Sequence, residues 1–180
     1  MMNENKENKE YKEKRYVWIL LSRYYDRFAN ILYSITGHGY THASIGVGEE
    51  SDSFYSFNFN GFCTEDPRRR LRISKNIPAV LFQLEVTERE YEDIRNRIEH
   101  MKNEQKKYHY SKIGVLLCLL HIPHCIRHHY FCSQFVADLL IHSGAIQKQK
   151  SPSLFLPNTF LNELKRHPKL RNVVYNPMYA

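Results

Sequence analysis

The chain has 180 residues, of which 42% are hydrophobic and 13% aromatic, and this composition excludes disorder for most of its length. Its formal net charge is +7, with basic runs at 67–72 and 102–107, so an anionic ligand at a basic surface is an open alternative. No helix-turn-helix, zinc-finger or RNA-recognition pattern accompanies this charge, and we therefore expect no specific nucleic-acid binding.

The pattern along the chain indicates one domain at 16–180 after a polar, disordered tail at 1–15. The longest apolar run, 113–120, is too short to cross a bilayer, so we expect no transmembrane segment. The four cysteines follow no apolar leader, which favours a reduced, cytoplasmic setting over a disulfide framework.

The first half of the chain alternates apolar and polar residues in several short runs, which is typical of strands. The predicted elements are a strand at 16–21, a helix at 24–35, strands at 40–48 and 53–60 joined by a turn at 49–52, and a long basic loop at 61–78. In the second of these strands, His42 lies on a small polar face with Ser44 and Gly46. In the next strand, Ser56 and Asn58 share a face.

The second half begins with a strong strand at 79–86 and is then mostly helical. Thr87 and Glu90 form a capping-box pattern at the start of the next helix. The further predicted elements are that helix to about residue 106, a buried helix at 110–120, a His-rich loop at 121–129, a helix from 132 to Gly144, a short helix capped by Asn158 and ending at Leu164, and a strand at 173–175. The length of the 110–120 segment also allows a strand. This order predicts an α+β fold with a mostly antiparallel sheet.

Cys132 is the first candidate for chemistry. It lies at the start of the 132–144 helix and on the same face as Phe135, Val136 and Leu139. The positive end of a helix dipole lowers the pKa of a thiol, so we expect a reactive thiolate there. The alternative is a buried structural cysteine.

His42 is the best candidate for the base that a cysteine nucleophile needs. It follows a glycine-rich turn and opens a strand whose other residues on that face are small, which leaves room for a partner. A sheet is also the surface that would cover the apolar face of the Cys132 helix.

Four segments resemble the circularly permuted, NlpC-like branch of the papain-like cysteine hydrolases. They are residues 39–45 (GYTHASI), 55–57 (YSF), 61–62 (GF) and 131–136 (FCSQFV). The order also agrees, since the histidine strand precedes the cysteine helix, the reverse of papain. The resemblance extends over roughly residues 17–179.

The resemblance implies a permuted papain-like α+β core, with Cys132 as nucleophile and His42 as general base. It implies no cofactor. The backbone N–H of Cys132 would help to hold the oxyanion. Relatives cleave amide bonds in bacterial cell-wall peptides, and others, similar to lecithin-retinol acyltransferase, act on lipid acyl groups.

One position departs from the family pattern. The family often places Glu, His or Asn on the strand that follows the histidine strand, where it orients the imidazole. The nearest match here is Ser56, a weak orienting group, with Asn58 as its rival. Tyr40 and Gln134 flank the two key residues and are candidate substrate-binding groups, although packing around the site is the alternative for both.

Two other readings stay open. One is a catalytically inactive binding protein of the same fold. The other is a zinc-binding interaction module, because several potential ligands lie close together: Cys118, His121, His124, Cys125, His128, His129 and Cys132. Their spacing fits no standard zinc finger, so we expect no metal site.

The sequence therefore predicts a cysteine hydrolase or acyl transferase that cleaves an amide or ester bond, with Cys132, His42 and Ser56 as catalytic residues. Its substrate would be a small peptide-like or lipid-like molecule, and a cell-wall peptide is one candidate. A protein in the cytoplasm would reach such a peptide through cell lysis, a phage-like route or an intracellular precursor.

Overall fold

The computed structural model of the chain describes residues 14–48, 53–67 and 77–177. Its strands are β1 (Arg15–Ser22), β2 (His42–Val47), β3 (Phe54–Asn58), β4 (Gly61–Glu65), β5 (Ala79–Val86), β6 (His109–Tyr110), β7 (His129–Tyr130) and β8 (Leu170–Tyr175). Its α-helices are α1 (Arg27–Ile35), α2 (Glu88–Asn103), α3 (Lys112–Leu119), α4 (Cys132–Ser143) and α5 (Pro157–Leu164).

Six of the strands form one sheet in the order β4-β3-β2-β1-β5-β8, and every neighbouring pair is antiparallel. Strands β6 and β7 form a separate parallel pair. The predicted α+β class with a mostly antiparallel sheet is confirmed.

The main core lies between one face of this sheet and the helices. Successive side chains of a strand point to opposite faces, so Ala43 and Ile45 of β2 join this core, whereas His42 and Ser44 point the other way. Both apolar residues are fully buried. Helix α4 covers β2 and β3 on the core side, which brings its first residue to the region where β2 begins.

Two of the three helix ends predicted from capping residues are confirmed. The Thr87 side chain accepts a hydrogen bond from the Glu90 amide at 3.3 Å, and the Glu90 carboxylate accepts one from the Thr87 amide at 2.9 Å. Helix α4 ends at Gly144, whose φ of 83° is left-handed and therefore favours glycine.

Four sequence predictions need correction. Residues 61–65, predicted as loop, form β4, because residues 59–60 make a tight turn that pairs this segment with β3. Helix α3 exists, but it is not buried, since it carries two large exposed aliphatic residues and its C-cap, Leu120, is a third. Asn158 does not cap α5, whose N-cap is Leu156. Arg15, assigned to the tail, begins β1.

The turn predicted at 49–52 and the rest of the predicted tail, 1–13, lie outside the described residues. Half of the predicted basic loop, 68–76, does as well. Of the helices in the described part of the chain, none combines the length and hydrophobicity that crossing a bilayer requires.

Candidate active site

His42 is held on three sides at the start of β2. Its side chain is 5% exposed, and its Nε2 lies 3.0 Å from Oε2 of Glu65. The ring of Tyr24 stacks on the imidazole, with centroids 4.0 Å apart and planes inclined by 18°. The Cys132 side chain lines the same cavity as His42 and is close enough to raise the pKa of the imidazole.

Glu65 is the residue that orients His42. It is the last residue of β4, and its Oε1 accepts a hydrogen bond from the Tyr24 hydroxyl at 3.0 Å. The Cys63 thiol points at the same oxygen from 3.8 Å. The carboxylate is thus fixed at one oxygen and binds the imidazole with the other, an arrangement that fixes both the tautomer and the orientation of a catalytic histidine.

The electrostatics favour the imidazolium form of His42. Burial of the ring lowers its pKa, but the Glu65 charge and the hydrogen bonds with Cys132 and Glu65 outweigh burial and raise the pKa to about 10. His42 therefore holds a proton at neutral pH. A base that keeps the proton it accepts is suited to a cysteine nucleophile, since the sulfur then reacts as the thiolate.

Cys132 is the first residue of α4, after the N-cap Phe131. No side chain caps this helix start, so the first-turn amides are not occupied by a capping oxygen. Cys132 is buried, at 6% exposure. The sulfur therefore meets the positive end of the helix dipole on one side and the imidazole on the other.

A cavity of about 250 Å³ opens onto Cys132 and His42. Half of its other lining residues are aromatic and four are polar: Tyr24, Asp26, Phe28, Ala29, Thr41, Phe57, Asn58, Phe59, Asn60 and Tyr110. Tyr110 also lies near the sulfur. Burial, followed by the charges of Cys132 and Asp26, raises the pKa of its phenol. The cavity has the volume to accept a small acyl group beside the thiol.

Of the other predicted site residues, only Asn58 lines the cavity. The Ser56 hydroxyl does not reach His42 but donates to the carbonyl oxygen of Ala43 at 2.7 Å, so it fastens β3 to β2. Gln134 points its amide toward Cys125, with Nε2 at 3.8 Å from the sulfur. Tyr40 packs against the core. The structure thus brings Cys132 and His42 together and supplies Glu65, not Ser56, as the third group.

Glu65 was missed because residues 61–65 were assigned to a loop. A weak signal was present: Cys63 and Glu65 alternate with Phe62 and Thr64, and a two-residue turn before Gly61 would return the chain as a strand. Tyr24 was assigned only to the helical spacing of α1, and no sequence pattern pointed to its stacking on His42.

The remaining thiols differ from Cys132 in their surroundings, and all four cysteines are free. Burial and then the Glu65 charge raise the pKa of Cys63 to about 12, and burial raises the pKa of Cys118 to about 11. Cys125 is exposed. Over the described residues, no group of three or more His, Cys, Asp or Glu side chains converges in a way that could hold a metal ion.

Asn158 fixes the turn that leads into His42. Its Oδ1 accepts a hydrogen bond from the Tyr40 amide at 2.9 Å, and its Nδ2 donates to the His38 carbonyl oxygen at 2.9 Å. Gly39 sits between these two contacts with φ of 122°, and a Cβ there would overlap Asn158 Oδ1. The turn therefore requires glycine for its conformation and for the approach of Asn158.

We predict that Gly39→Ala destabilises the fold by about 1–3 kcal/mol and slows alkylation of Cys132, because the turn before His42 must move. Gly37→Ala is the matched control: its φ is 75°, but a Cβ there meets nothing within 4 Å. It should cost stability through strain alone and leave the alkylation rate unchanged. Urea unfolding and iodoacetamide kinetics measure the two effects, and equal slowing of alkylation in both variants would contradict this role of Asn158.

No family model, no curated protein and no solved structure matches the chain.

Proposed function

We propose that the protein is a cysteine hydrolase or acyl transferase, with Cys132 as nucleophile, His42 as general base and acid, and Glu65 as the group that orients His42. The observation that carries the proposal is the chain of contacts from Cys132 through His42 to Glu65 at the wall of a 250 Å³ cavity. The segments around His42 (39–45) and Cys132 (131–136) resemble those of the permuted, NlpC-like branch of the papain-like hydrolases and occur in the same order. This resemblance supports the proposal.

In the resting site, His42 would already hold the proton of the Cys132 thiol, so the pair reacts as thiolate and imidazolium. The thiolate attacks the carbonyl carbon of the substrate, and the oxygen that becomes negative lies near the Cys132 amide at the start of α4. When the tetrahedral intermediate collapses, His42 gives its proton to the leaving amine or alcohol. Water, or an acceptor alcohol or amine, then attacks the thioester while His42 removes its proton, and Cys132 is released.

The cavity bears on the class of substrate. Five of its lining side chains are aromatic, which favours an apolar acyl group beside the thiol. An acyl lipid and a short apolar peptide both satisfy this condition, and a cell-wall peptide would place an apolar side chain there. We also propose a reducing, cytoplasmic setting, in which a catalytic thiol and three further free cysteines persist.

Alkylation with iodoacetamide at neutral pH tests the proposal. We expect Cys132 to be modified fastest and Cys125, which is exposed, at the rate of an ordinary surface thiol. Cys63 and Cys118 should react slowly, because burial raises the pKa of both thiols. Peptide mass mapping over time gives the four rates in one experiment.

The His42→Ala variant provides the control. It should lose the fast modification of Cys132 and leave the Cys125 rate unchanged. Equal, slow labelling of all four cysteines in the parent protein would count strongly against a hydrolase. If the fast thiol is present but a broad panel of amides and esters shows no turnover and no acyl-enzyme, the binding-only alternative would be favoured.

A further inference from the structure

Helix α3 presents aliphatic side chains to the outside. Ile113, Leu116 and Leu120 are 62%, 58% and 60% exposed, and their spacing of three and four residues places them on one stripe. The opposite side of the helix, with Val115 and Cys118, packs inward. The helix is thus apolar on both sides, although only one side is covered by the protein.

Helix α1 and the β3–β4 turn extend this surface. Ile31 and Ile35 of α1 are also more than half exposed, and α1 contacts α3 through an apolar cluster that includes Leu32 and Val115. Phe59, in the turn, is half-exposed. We call Ile31, Ile35, Phe59, Ile113, Leu116 and Leu120 the apolar surface.

The apolar surface borders the mouth of the cavity. The ring of Phe59 lies 5.5 Å from that of Phe28 and 5.1 Å from that of Tyr110, and all three residues line the cavity. A molecule bound across the apolar surface would therefore lie next to the entrance that leads to Cys132.

The segment that carries the exposed side chains of α3 is basic. No acidic residue occurs between Glu104 and Asp138, whereas this stretch holds three lysines, an arginine and five of the ten histidines. On the α1 side, the nearest acidic residue is Asp26, the N-cap of that helix. The Lys112 ammonium lies 5.2 Å from the Phe59 ring, within the apolar surface itself. Exposed aliphatic side chains next to a predominantly basic segment match the requirements of binding to an anionic lipid surface.

We propose that the apolar surface docks the protein onto the face of an anionic lipid bilayer, with the cavity mouth directed toward the lipids. The aliphatic side chains would enter the interfacial region while Lys112 and its cationic neighbours contact the phosphate groups. A second copy of the chain is a poorer occupant, because two such surfaces would bring like charges together. The inference does not depend on the catalytic proposal.

Co-sedimentation of the full chain with vesicles tests this inference. We expect binding to vesicles of phosphatidylcholine and phosphatidylglycerol, and weaker binding to phosphatidylcholine alone. Leu116→Ser with Leu120→Ser should lower the partition onto the anionic vesicles about tenfold or more, since two large side chains no longer enter the lipid. Val174→Ser, which removes an exposed aliphatic residue of β8, should bind like the parent protein.

A second variant makes the test independent of the serine substitutions. Leu116→Trp should be quenched by brominated lipid, whereas Asn96→Trp, at an exposed position of α2, should not. The background from Trp18 is common to both variants and is measured in the parent protein.

Three results would overturn the inference. One is binding that salt abolishes but the serine variant does not alter, since other basic segments would then carry it. Another is equal quenching of the two added tryptophans. The third is a dimer in analytical ultracentrifugation that dissociates on Leu116→Ser. Cys132→Ala should bind vesicles like the parent protein, so failure of the catalytic proposal and failure of this one are distinguishable.

Discussion

Glu65→Gln is expected to slow acylation of Cys132 by about 10²–10⁴-fold, the range that a positioned acid–base group contributes. The change keeps the shape of the side chain and removes its charge. The amide would present either an oxygen or an NH₂ group to Nε2 and could no longer hold a protonated ring by charge. The burst of nitrophenol from p-nitrophenyl acetate measures acylation without knowledge of the natural substrate.

The pH dependence of the same variant gives a second, independent readout. His42 has its pKa raised to about 10, so its proton is held below that pH and lost as the pH rises through it. Above that pH, His42 has no proton to give to the leaving group. We therefore expect activity to fall on the alkaline side near pH 10. Without the Glu65 charge, the pKa of His42 falls, and this alkaline limit should move to lower pH.

Two control variants separate Glu65 from its neighbours. Ser56→Ala removes the hydroxyl that bonds to the Ala43 carbonyl, which should cost about 1 kcal/mol of stability and leave the acylation rate unchanged. Tyr24→Phe removes one hydrogen bond to the carboxylate but keeps a ring against His42, so a smaller loss is expected. A large rate loss in Ser56→Ala with none in Glu65→Gln would restore the sequence-based assignment and contradict the structural one.

The sequence predicted Cys132 and His42 because each carries a local signal. A thiol at the first position of an apolar helix, and a histidine on the small face of a strand, are visible without any tertiary structure. Their partnership required that the helix should cover the sheet, which is the usual way to bury an apolar helix face. It also required that the first residue of the helix should lie beside the start of the histidine strand. The mostly antiparallel α+β class followed from the same periodicities.

Glu65 could not be predicted in this way because its role depends on side chains that meet across the fold. The Tyr24 ring that covers His42 comes from the segment after β1, and the carboxylate comes from the far end of a hairpin. The exposure of α3 was missed for a related reason. Periodicity identifies an apolar helix, but it does not say how many of its sides the protein covers.

Phe135→Ala is expected to lower the free energy of unfolding by about 3–5 kcal/mol, the range for removal of a buried phenylalanine. The ring is fully buried and has three aromatic neighbours: Phe57 at 5.2 Å, Phe62 at 5.7 Å and Tyr130 at 6.5 Å between centroids. Its loss would leave a cavity between α4 and the β3–β4 hairpin that rigid strands cannot close. Urea unfolding with an unchanged m-value would measure the loss.

The position of Phe135, three residues after Cys132, couples this stability to the site. The same ring packs α4 against the β3–β4 hairpin that carries Glu65, so it helps to set the distance between the thiol and the oriented imidazole. We therefore expect the folded fraction of Phe135→Ala to acylate more slowly than the parent protein. Phe135→Leu keeps most of the volume and should lose less of both properties, about 1 kcal/mol or slightly more. A Phe135→Ala variant that keeps the full acylation rate despite its lower stability would contradict this role of Phe135. Packing of Phe131 against α3 would then be sufficient to position the start of α4.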